Sequence, residues 1–334
     1  MSTALVICDD SAFARKQILR SLPGDWDVTV TQVGDGSSAL AAIRAGNGDV
    51  LLLDLNMPGM DGYQVMEVVQ REKLATLIIV VSGDVQPEIR RRVLALGALE
   101  LLKKPTRSGD LLAILTHYGL YRSTSFSPPK PEIQGDVSVD LRDVYRELAN
   151  VAQGWAADRL ARLLKTFVST GNPAAITIEG TKLQAVLGQM AGSETVIAVS
   201  QGFAGGGLAG EVLLIFKDSS TVDMARLLGL TGFIDTNTTL DVVLDVASVL
   251  IGASLAGIGE QLDLSFSLGH PIILGRHVSM ADLLAREGGC CKGRLLAMRL
   301  SYTIAGHNVN AELLLLFTPT SLPVLQQRVH YASP

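Results

Sequence analysis

Cysteine is scarce in this sequence, and its placement does not suit a disulfide framework. The chain of 334 residues contains three cysteines, Cys8, Cys290 and Cys291. An odd number, with two of the three adjacent, does not form a regular set of disulfide bonds. Because such frameworks belong mainly to oxidising compartments, this cysteine usage predicts a cytoplasmic protein.

Positive charge is not in excess either. The chain has 28 Lys and Arg residues against 33 Asp and Glu residues, for a formal net charge of −5. Proteins that hold nucleic acids neutralise phosphates with clustered basic side chains, and no such cluster is present. Residues 137–334 also lack a terminal helix-turn-helix pattern. The sequence therefore predicts no nucleic-acid partner and disfavours a DNA-binding regulator.

Long hydrophobic runs are missing as well. The longest uninterrupted apolar runs, such as Leu313–Phe317, have the length of a strand, whereas a membrane-spanning helix needs about 20 apolar residues. The first residues lead directly into Asp9 and Asp10, without the basic and apolar regions of a signal peptide. We therefore expect no membrane insertion. The chain length predicts two or three domains, and hydrophobic residues, which make up 48% of the chain, suffice for a core in each.

Residues 4 to about 118 alternate short apolar runs with segments of helical periodicity. Continuous apolar strands separated by helices are typical of a parallel sheet that is covered on both faces. The sequence therefore predicts an α/β fold, a doubly wound five-stranded parallel (βα)5 sheet. The five predicted strands are Ala4–Cys8, Val28–Gln32, Val50–Leu53, Leu77–Val81 and Leu99–Leu102.

A change of composition marks the end of this first domain. Residues 121–136 are rich in Ser, Pro and Gly, and Pro128, Pro129 and Pro131 exclude a helix there. We interpret the segment as a partly extended linker. The predicted layout is a first domain over residues 1–120, the linker over 121–136, a second domain over 137–320 and a tail over 321–334.

The second domain contains an internal repeat. Asp143 and Pro173 recur as Asp241 and Pro271, 98 residues later, and GEVLLIF (210–216) recurs as AELLLLF (311–317) at an offset of 101. Repeats of this length predict a duplicated, pseudo-symmetric α/β domain with copies at about 140–217 and 238–318. The glycine-rich segment 202–210 lacks a following Lys-Ser/Thr pair, so we expect a hairpin there and not a nucleotide-binding loop.

Chemistry-bearing residues stand at the carboxyl ends of the predicted strands. Asp9 and Asp10 end the first strand, Asp54 the third and Ser82 the fourth, and Lys104 follows the fifth. Because these strand ends converge in a parallel sheet, we expect the side chains to meet in one crevice. Three carboxylates that share a site suit Mg²⁺. The alternative is that the first two aspartates only cap a helix.

This arrangement resembles the response-regulator receiver family, the CheY-like fold, over essentially all of residues 1–120. The resemblance implies phosphorylation of Asp54 by a histidine kinase, and Mg²⁺ held by Asp9, Asp10, Asp54 and the backbone carbonyl of Asn56. It also implies that Ser82 and Lys104 bind the phosphoryl oxygens. The family usually has an aromatic residue three positions before the lysine, where this chain has Leu101. The matching motifs are ICDDS (7–11), LLLDLNMPGMDGY (51–63), VVSGD (80–84) and KKP (103–105).

A second candidate site lies on a long helix predicted from Asp140 to about Val168. Asp143, Glu147 and Asn150 are spaced i, i+4 and i+7, so they line one ridge beside the apolar stripe of that helix. A carboxamide both donates and accepts hydrogen bonds, which suits the positioning of a water molecule. A glutamate can pair with a lysine of a partner. The alternative is the solvated face of an ordinary amphipathic helix.

The ridge resembles the CheC/CheX/FliY family of receiver-specific phosphatases over about residues 137–320. The family signature is an acidic residue or Ser, then Glu, Asn and Pro, and here it is met by Asp143, Glu147, Asn150 and Pro173. The resemblance implies hydrolysis of the aspartyl phosphate of a CheY-like receiver. Asn150 would orient the attacking water, and Glu147 would anchor the lysine of the receiver.

The second copy keeps the register but not the chemistry. Its equivalent residues are Asp241, Asp245, Ser248 and Pro271. Asp is one methylene shorter than Glu, and Ser lacks the planar amide of Asn. We therefore expect one active and one degenerate site.

These observations favour a two-component or chemotaxis signalling protein. In the leading hypothesis, a receiver phosphorylated on Asp54 regulates a domain that dephosphorylates a partner CheY-like protein. Two alternatives remain. The second domain could be a non-enzymatic module that binds phosphorylated receivers or flagellar-switch or receptor-complex components, or it could act on its own receiver in cis.

Overall fold

A computed structural model describes residues 2–121, 132–134, 140–180, 183, 195–230, 235–279 and 293–332. The chain forms two compact units, residues 1–147 and residues 148–332, called here the first and the second unit. The division falls inside a long helix, between Glu147 and Leu148. Cys290, Cys291 and most of the predicted linker lie outside the described residues.

The first unit contains a parallel sheet of six strands in the order β5-β4-β3-β1-β2-β6. Its strands β1 to β5 confirm the predicted doubly wound (βα)5 fold. The elements are β1 (Thr3–Cys8), α1 (Ala12–Ser21), β2 (Val28–Val33), α2 (Gly36–Arg44), β3 (Val50–Leu53), α3 (Gly62–Glu72), β4 (Leu77–Ser82), α4 (Pro87–Ala95), β5 (Glu100–Lys103), α5 (Ser108–His117) and β6 (Glu132–Gln134).

The sixth strand was not predicted. Glu132–Gln134, inside the segment interpreted as a linker, pairs in parallel with Thr29–Thr31 of β2. Because β2 would otherwise expose a row of unpaired backbone groups at the sheet edge, even a three-residue segment gains hydrogen bonds by pairing there. A segment this short has no periodicity that the sequence could reveal.

Both faces of this sheet are covered, which explains the unbroken apolar runs. Side chains alternate between faces along a strand. In β1, Val6 and Cys8 join a core formed with α2, α3 and α4, whereas Leu5 and Ile7 join a core formed with α1 and α5. The inner positions of β1 and all of β3 are therefore apolar, and Asp9 and Asp54 follow directly after these strands.

The second unit is built on an antiparallel sheet. Its path is β11-β9-β10-β14-β13-β7, with β12 paired to β9 and β8 paired to β13. The elements, after helix α6 (Leu141–Leu164) that links the two units, are β7 (Val168–Thr170), β8 (Ala174–Glu179), β9 (Val196–Gly205), β10 (Leu208–Lys217), α7 (Ser220–Leu227), α8 (Thr236–Leu262), β11 (Ser267–Leu268), β12 (Ile272–Val278), β13 (Arg294–Ile304), β14 (Val309–Phe317) and α9 (Ser321–Ala332).

The register of this sheet confirms the duplication. At its centre Leu213 of β10 pairs with Leu314 of β14, its equivalent 101 residues later, so a pseudo-two-fold axis passes through this pair. The copies also exchange strands, since β8 of the first pairs with β13 of the second, and β12 of the second pairs with β9 of the first. Each copy thus completes the sheet of the other.

Two details of the second unit refine the predictions. The glycine-rich segment forms the predicted β9–β10 hairpin, with Gly206 and Gly207 at positive φ in its turn. The segment predicted as a tail contains helix α9, in which Leu325 and Val329 are spaced by four residues and are both buried. Arg328 of this helix donates two hydrogen bonds to the carbonyl of Gly206.

Helix α6 packs against helix α8. A Cβ atom at Gly257 would lie 3.1 Å from the Cα atom of Ala152, so the glycine allows close approach. Over Asn237–Leu262, α8 is long and apolar enough to cross a membrane by length and composition, but most of its apolar segment is buried in the protein. This apolar helix is not visible among the uninterrupted apolar runs of the sequence, because Asp241, Asp245 and Ser248 interrupt its apolar residues.

The tight approach of α3 to β3 gives a first prediction. A Cβ atom at Gly62 would lie 2.4 Å from the backbone oxygen of Asp54 and 2.9 Å from the Cα atom of Leu55. Backbone atoms cannot move aside cheaply, so we expect Gly62→Ala to destabilise the first unit by about 1–3 kcal/mol. The measurement is native-state hydrogen exchange of the β1 and β3 amides, which reports the opening free energy of this unit.

The matched control is Gly109→Ala. A Cβ atom at Gly109, inside helix α5, would have no heavy atom within 4 Å, so alanine should be neutral or stabilise by up to about 1 kcal/mol. Equal exchange free energies for the two variants would contradict the steric argument.

Candidate functional site

The carboxyl ends of the strands in the first unit bring a lysine among carboxylates. Lys104 Nζ lies 2.6 Å from Asp9 Oδ2 and 3.0 Å from Asp54 Oδ1. All three side chains are buried, with at most 3% of each exposed. An ion pair that is buried so deeply keeps its geometry, because separating the charges would leave one of them unpaired.

The backbone of each site residue is fixed by the neighbouring strand. The N–H of Asp9 donates to the carbonyl of Val33, that of Asp54 to Cys8 at 2.8 Å, and that of Lys104 to Ser82 at 2.9 Å. The strand ladders therefore continue one residue past the strand ends. Helix α1 starts immediately afterwards, where the hydroxyl of Ser11 accepts from the N–H of Ala14 as an N-cap.

The acidic residues fit a divalent cation. One carboxylate oxygen from each of Asp9, Asp10 and Asp54 lies within 4.8 Å of the others. Hard oxygen ligands in such a group are the donors that Mg²⁺ prefers. The sequence predicts that the backbone carbonyl of Asn56 binds the metal. In the structure, the backbone N–H of Asn56 donates a hydrogen bond to Asp54 Oδ2 at 3.0 Å.

Ser82 is buried beside this cluster and begins a polar turn. Its hydroxyl accepts a hydrogen bond from the N–H of Asp84 at 3.2 Å, and Asp84 accepts from both the backbone N–H and the side-chain amide of Gln86. The sequence interpretation gave no role to Asp84 or Gln86. Asp84 and Gln86 are two residues apart, and Pro87 follows directly. This pattern is typical of a turn stabilised by a side chain, so the sequence contained a signal for the turn.

The first turns of helix α6 belong to the first unit and contact this site. Glu147 Oε1 lies 3.0 Å from Lys104 Nζ, and the glutamate side chain is only 3% exposed. The alternative interpretation of Glu147 as part of a solvated helix face is therefore wrong. An ammonium group has three N–H donors, and three carboxylates surround it here.

Two further residues of α6 contact the turn between β1 and α1. Asp143 Oδ2 accepts hydrogen bonds from the N–H of Phe13 at 3.0 Å and from the hydroxyl of Ser11 at 3.3 Å. The N–H of Phe13 is one of the unpaired donors at the start of α1, where a carboxylate is favourable. Arg146 pairs with Asp10 at 2.9 Å. Sequence reasoning missed Arg146, although its i+3 spacing from Asp143 places it on the same face.

Burial and neighbouring charges determine the ionisation of these groups. Burial raises the pKa of Asp9 well above its ordinary value, and it also raises the pKa of Asp10 and Glu147. For Lys104, burial opposes the charge, but the carboxylates of Asp54, Asp9 and Glu147 outweigh it and raise the pKa. Five carboxylates share one ammonium and one guanidinium, and this excess of carboxylates over cations suits a divalent cation.

Asn150 lies in the second unit, one turn beyond Glu147 on the same continuous helix. Residues spaced by three share a helix face, so the carboxamide and the carboxylate project from adjacent turns. Asn150 is half-buried. Pro173 directly precedes β8, just as Pro271 directly precedes β12.

The equivalent ridge of the second copy differs in exposure. Asp241, Asp245 and Ser248 of helix α8 are all exposed. The hydroxyl of Ser248 donates to the carbonyl of Leu244 on its own helix, at 2.8 Å. The structure thus contains two helices of related sequence, one with a buried glutamate and one with an exposed aspartate at the same position.

Comparison with known proteins identifies the first part of the chain. Residues 5–116 match the response regulator receiver domain family. The probable transcriptional regulatory protein NarL of Mycobacterium tuberculosis is 38% identical over 113 residues, which cover 33% of this chain and 52% of that protein. The protein-glutamate methylesterase/protein-glutamine glutaminase 3 of Geobacter sulfurreducens is 30% identical over 176 residues, 51% of this chain and 45% of that protein.

The chain spans about half the length of these curated relatives. The crystal structure of Thermotoga maritima FliY aligns with 57% of this chain and 96% of its own, with a TM-score of 0.44 and 14% identity. The family match, the six-stranded parallel sheet and the carboxylate–lysine cluster at its strand ends agree. Residues 5–116 of this chain form a response-regulator receiver domain.

Proposed function

We propose that this chain is a signalling phosphatase that accepts a phosphoryl group on Asp54 and hydrolyses receiver aspartyl phosphate with helix α6. The observation that carries the proposal is the buried ion pair between Glu147 and Lys104. The family resemblance assigns Glu147 to the lysine of a partner receiver, and its contact with Lys104 of its own chain supports a role of this kind. We propose that the receiver ends near residue 120 and that the phosphatase domain begins near residue 137. We also propose that the protein acts in the cytoplasm.

The phosphorylation step uses the groups around Asp54. Its Oδ1 atom lies next to Lys104, and its Oδ2 atom accepts from the N–H of Asn56, so the carboxylate is held in one orientation. Asp9, Asp10 and Asp54, with the carbonyl of Asn56, would hold Mg²⁺, which neutralises charge on the incoming phosphoryl group when bound. The hydroxyl of Ser82 and the ammonium of Lys104 would contact the phosphoryl oxygens.

Hydrolysis requires a positioned water molecule. The water oxygen forms a bond to phosphorus while the bond between phosphorus and the Asp54 carboxylate oxygen breaks. The carboxylate leaves with the electron pair, and both protons of the water stay with the released dihydrogen phosphate. Asn150 would hold this water through its carboxamide, while Glu147 fixes Lys104. Positioning of this kind is the main contribution of a protein to phosphoryl transfer.

A binding module without turnover remains the second candidate. The ion pair between Glu147 and Lys104 and the contacts of Asp143 and Arg146 are docking contacts, which recognition alone would also use. Rates decide between the two, because a group that acts mainly in the transition state changes the rate more than the binding. In either case we propose receivers of the CheY type, as in chemotaxis, as the class recognised, with a histidine kinase as the phosphodonor.

The acceptor assignment gives the second prediction. Incubation of the full chain with acetyl phosphate and Mg²⁺ should label it with phosphate, and Asp54→Ala should abolish the label. Removal of Mg²⁺ by a chelator should also abolish it, since the three carboxylates lose their cation. The control is Asp110→Ala, an exposed aspartate on α5, which should retain full labelling. Comparable labelling of Asp54→Ala would mean that another residue is the acceptor.

The third prediction compares the two copies by phosphate release with acetyl phosphate in excess. Asn150→Ala should reduce the turnover by about 10²-fold or more, as loss of one preorganised group typically does. Glu147→Ala combined with Asn150→Ala should remove nearly all turnover. The double variant Asp245→Ala with Ser248→Ala is the matched control and should retain most of it, because this ridge lacks the reach and the amide.

Equal losses for the two double variants would overturn the assignment of one active site. If the Asn150→Ala chain turned over as fast as the wild type, and the wild-type chain also failed to accelerate phosphate release from a separate phosphorylated CheY-type receiver, the binding module would be the better proposal.

A further inference from the structure

We propose that the substrate of this phosphatase helix is the receiver of its own chain, so that Asp54 is phosphorylated and dephosphorylated within one molecule. This inference rests on the proposed function and names its substrate. The supporting contacts join residues 141–147 of helix α6 to the receiver, and all lie within the first unit.

The first argument is that the docking groups of the ridge are already engaged. Glu147 pairs with Lys104, and Asp143 caps the start of helix α1 through the N–H of Phe13. A partner receiver would have to meet the same groups with its own lysine and its own first helix. The ridge therefore already binds a receiver lysine and the start of a receiver's first helix, and both belong to its own chain.

The charge pattern makes this docking specific. Along α6 the ridge presents negative, positive and negative groups in the order Asp143, Arg146, Glu147, opposite a helix N-terminus, Asp10 and Lys104. Each group meets its complement. Opposed charges in register favour one orientation and penalise others, since like charges brought together cost free energy.

Exchange for a partner is unfavourable for two reasons. Glu147 is 3% exposed, so a second lysine reaches it only after Lys104 has left, which would strand buried charges. The receiver is also tethered through residues 122–139, of which Glu132–Gln134 pair with β2. A short tether gives an effective concentration on the order of millimolar, well above the concentration of most free partners.

The second copy supplies an internal comparison. Asp245 and Ser248 occupy the positions of Glu147 and Asn150 on helix α8, and they are exposed to solvent. A ridge without a docked receiver thus has the exposure of an ordinary helix face. The burial of Glu147 reflects the receiver residues that cover it and does not follow from the helical register itself.

Cis action has a measurable consequence for the kinetics. The lifetime of the phosphoryl group on Asp54 becomes a property of each molecule, independent of protein concentration. The chain would then limit the duration of its own phosphorylated state, and no separate phosphatase would be required for this.

The test is a pulse-chase experiment with full-length chains. The Asn150→Ala chain is labelled on Asp54 with radioactive acetyl phosphate, freed of the donor, and mixed with unlabelled wild-type chain in the presence of Mg²⁺. We expect the label on Asn150→Ala to persist about 10²-fold longer than on the wild type. A tenfold excess of wild-type chain should shorten that lifetime by less than about twofold, because the tethered receiver outcompetes the added one.

The outcomes separate the two proposals. If wild-type chain shortens the lifetime of the labelled Asn150→Ala chain in proportion to its concentration, hydrolysis occurs in trans and the cis inference is wrong. If the wild-type and Asn150→Ala chains lose their label at the same rate when each is alone, the cis inference is wrong. The proposed phosphatase function is wrong as well if the wild-type chain also fails to accelerate loss of label from a separate phosphorylated CheY-type receiver. Labelling of Asn150→Ala to the wild-type level shows that its receiver is folded.

A second variant tests the docking without touching Glu147 or Asn150. Arg146→Glu would place a carboxylate against Asp10, so the ridge should undock more often and the label on Asp54 should last several-fold longer. The matched control is Arg142→Glu, one turn earlier on α6 at an exposed position, which should keep the wild-type lifetime. Equal lifetimes for the two charge reversals would contradict docking in cis.

Discussion

One buried ammonium group determines the arrangement of the first unit around its site. Lys104 Nζ lies within 3.0 Å of carboxylate oxygens from Asp9, Asp54 and Glu147, which come from two strand ends and a distant helix. Without this charge, three buried carboxylates would face one another, and a buried unpaired charge is among the costliest features a fold can contain. A phosphoryl group on Asp54 would bring further negative charge to the same ammonium. The chemistry at Asp54 and the docking of α6 therefore both depend on the position of Lys104 Nζ.

The sequence revealed the receiver fold, and it predicted that the polar residues at the strand ends lie together, because both follow from local rules. Apolar runs are buried strands when both faces of a sheet are covered, and the polar residues that follow them must meet at one edge. The duplication could also be read directly from the offsets of 98 and 101 residues. The exchange of β8 and β12 between the copies could not, because offsets say nothing about which strands pair.

What the sequence could not reveal is what covers the polar ridge of helix α6. Helical spacing placed Asp143 and Glu147 on one ridge but left it open whether solvent, a partner or the same chain would lie against them. Arg146 escaped notice because a lone basic residue between two acids is common on solvated helices. The sequence could not reveal β6 either. Its three residues form a strand through hydrogen bonds to the edge of β2, which a local sequence pattern does not show.

Under the proposed function, tethering and affinity compete for helix α6. A partner at about 10 μM faces a tethered competitor at an effective concentration of about 1 mM, a ratio of about 100. To occupy the ridge equally often, the partner must bind about 2.7 kcal/mol more tightly than the chain's own receiver does. That difference is comparable to two or three good hydrogen bonds. Modest changes at the docking surface would therefore be enough for helix α6 to bind a partner receiver in place of its own. A phosphoryl group on Asp54 would lie at the same surface, beside Lys104, and the sign of its effect on docking would decide whether the phosphorylated receiver is held or released. A phosphatase acting in cis requires that the phosphorylated receiver be held.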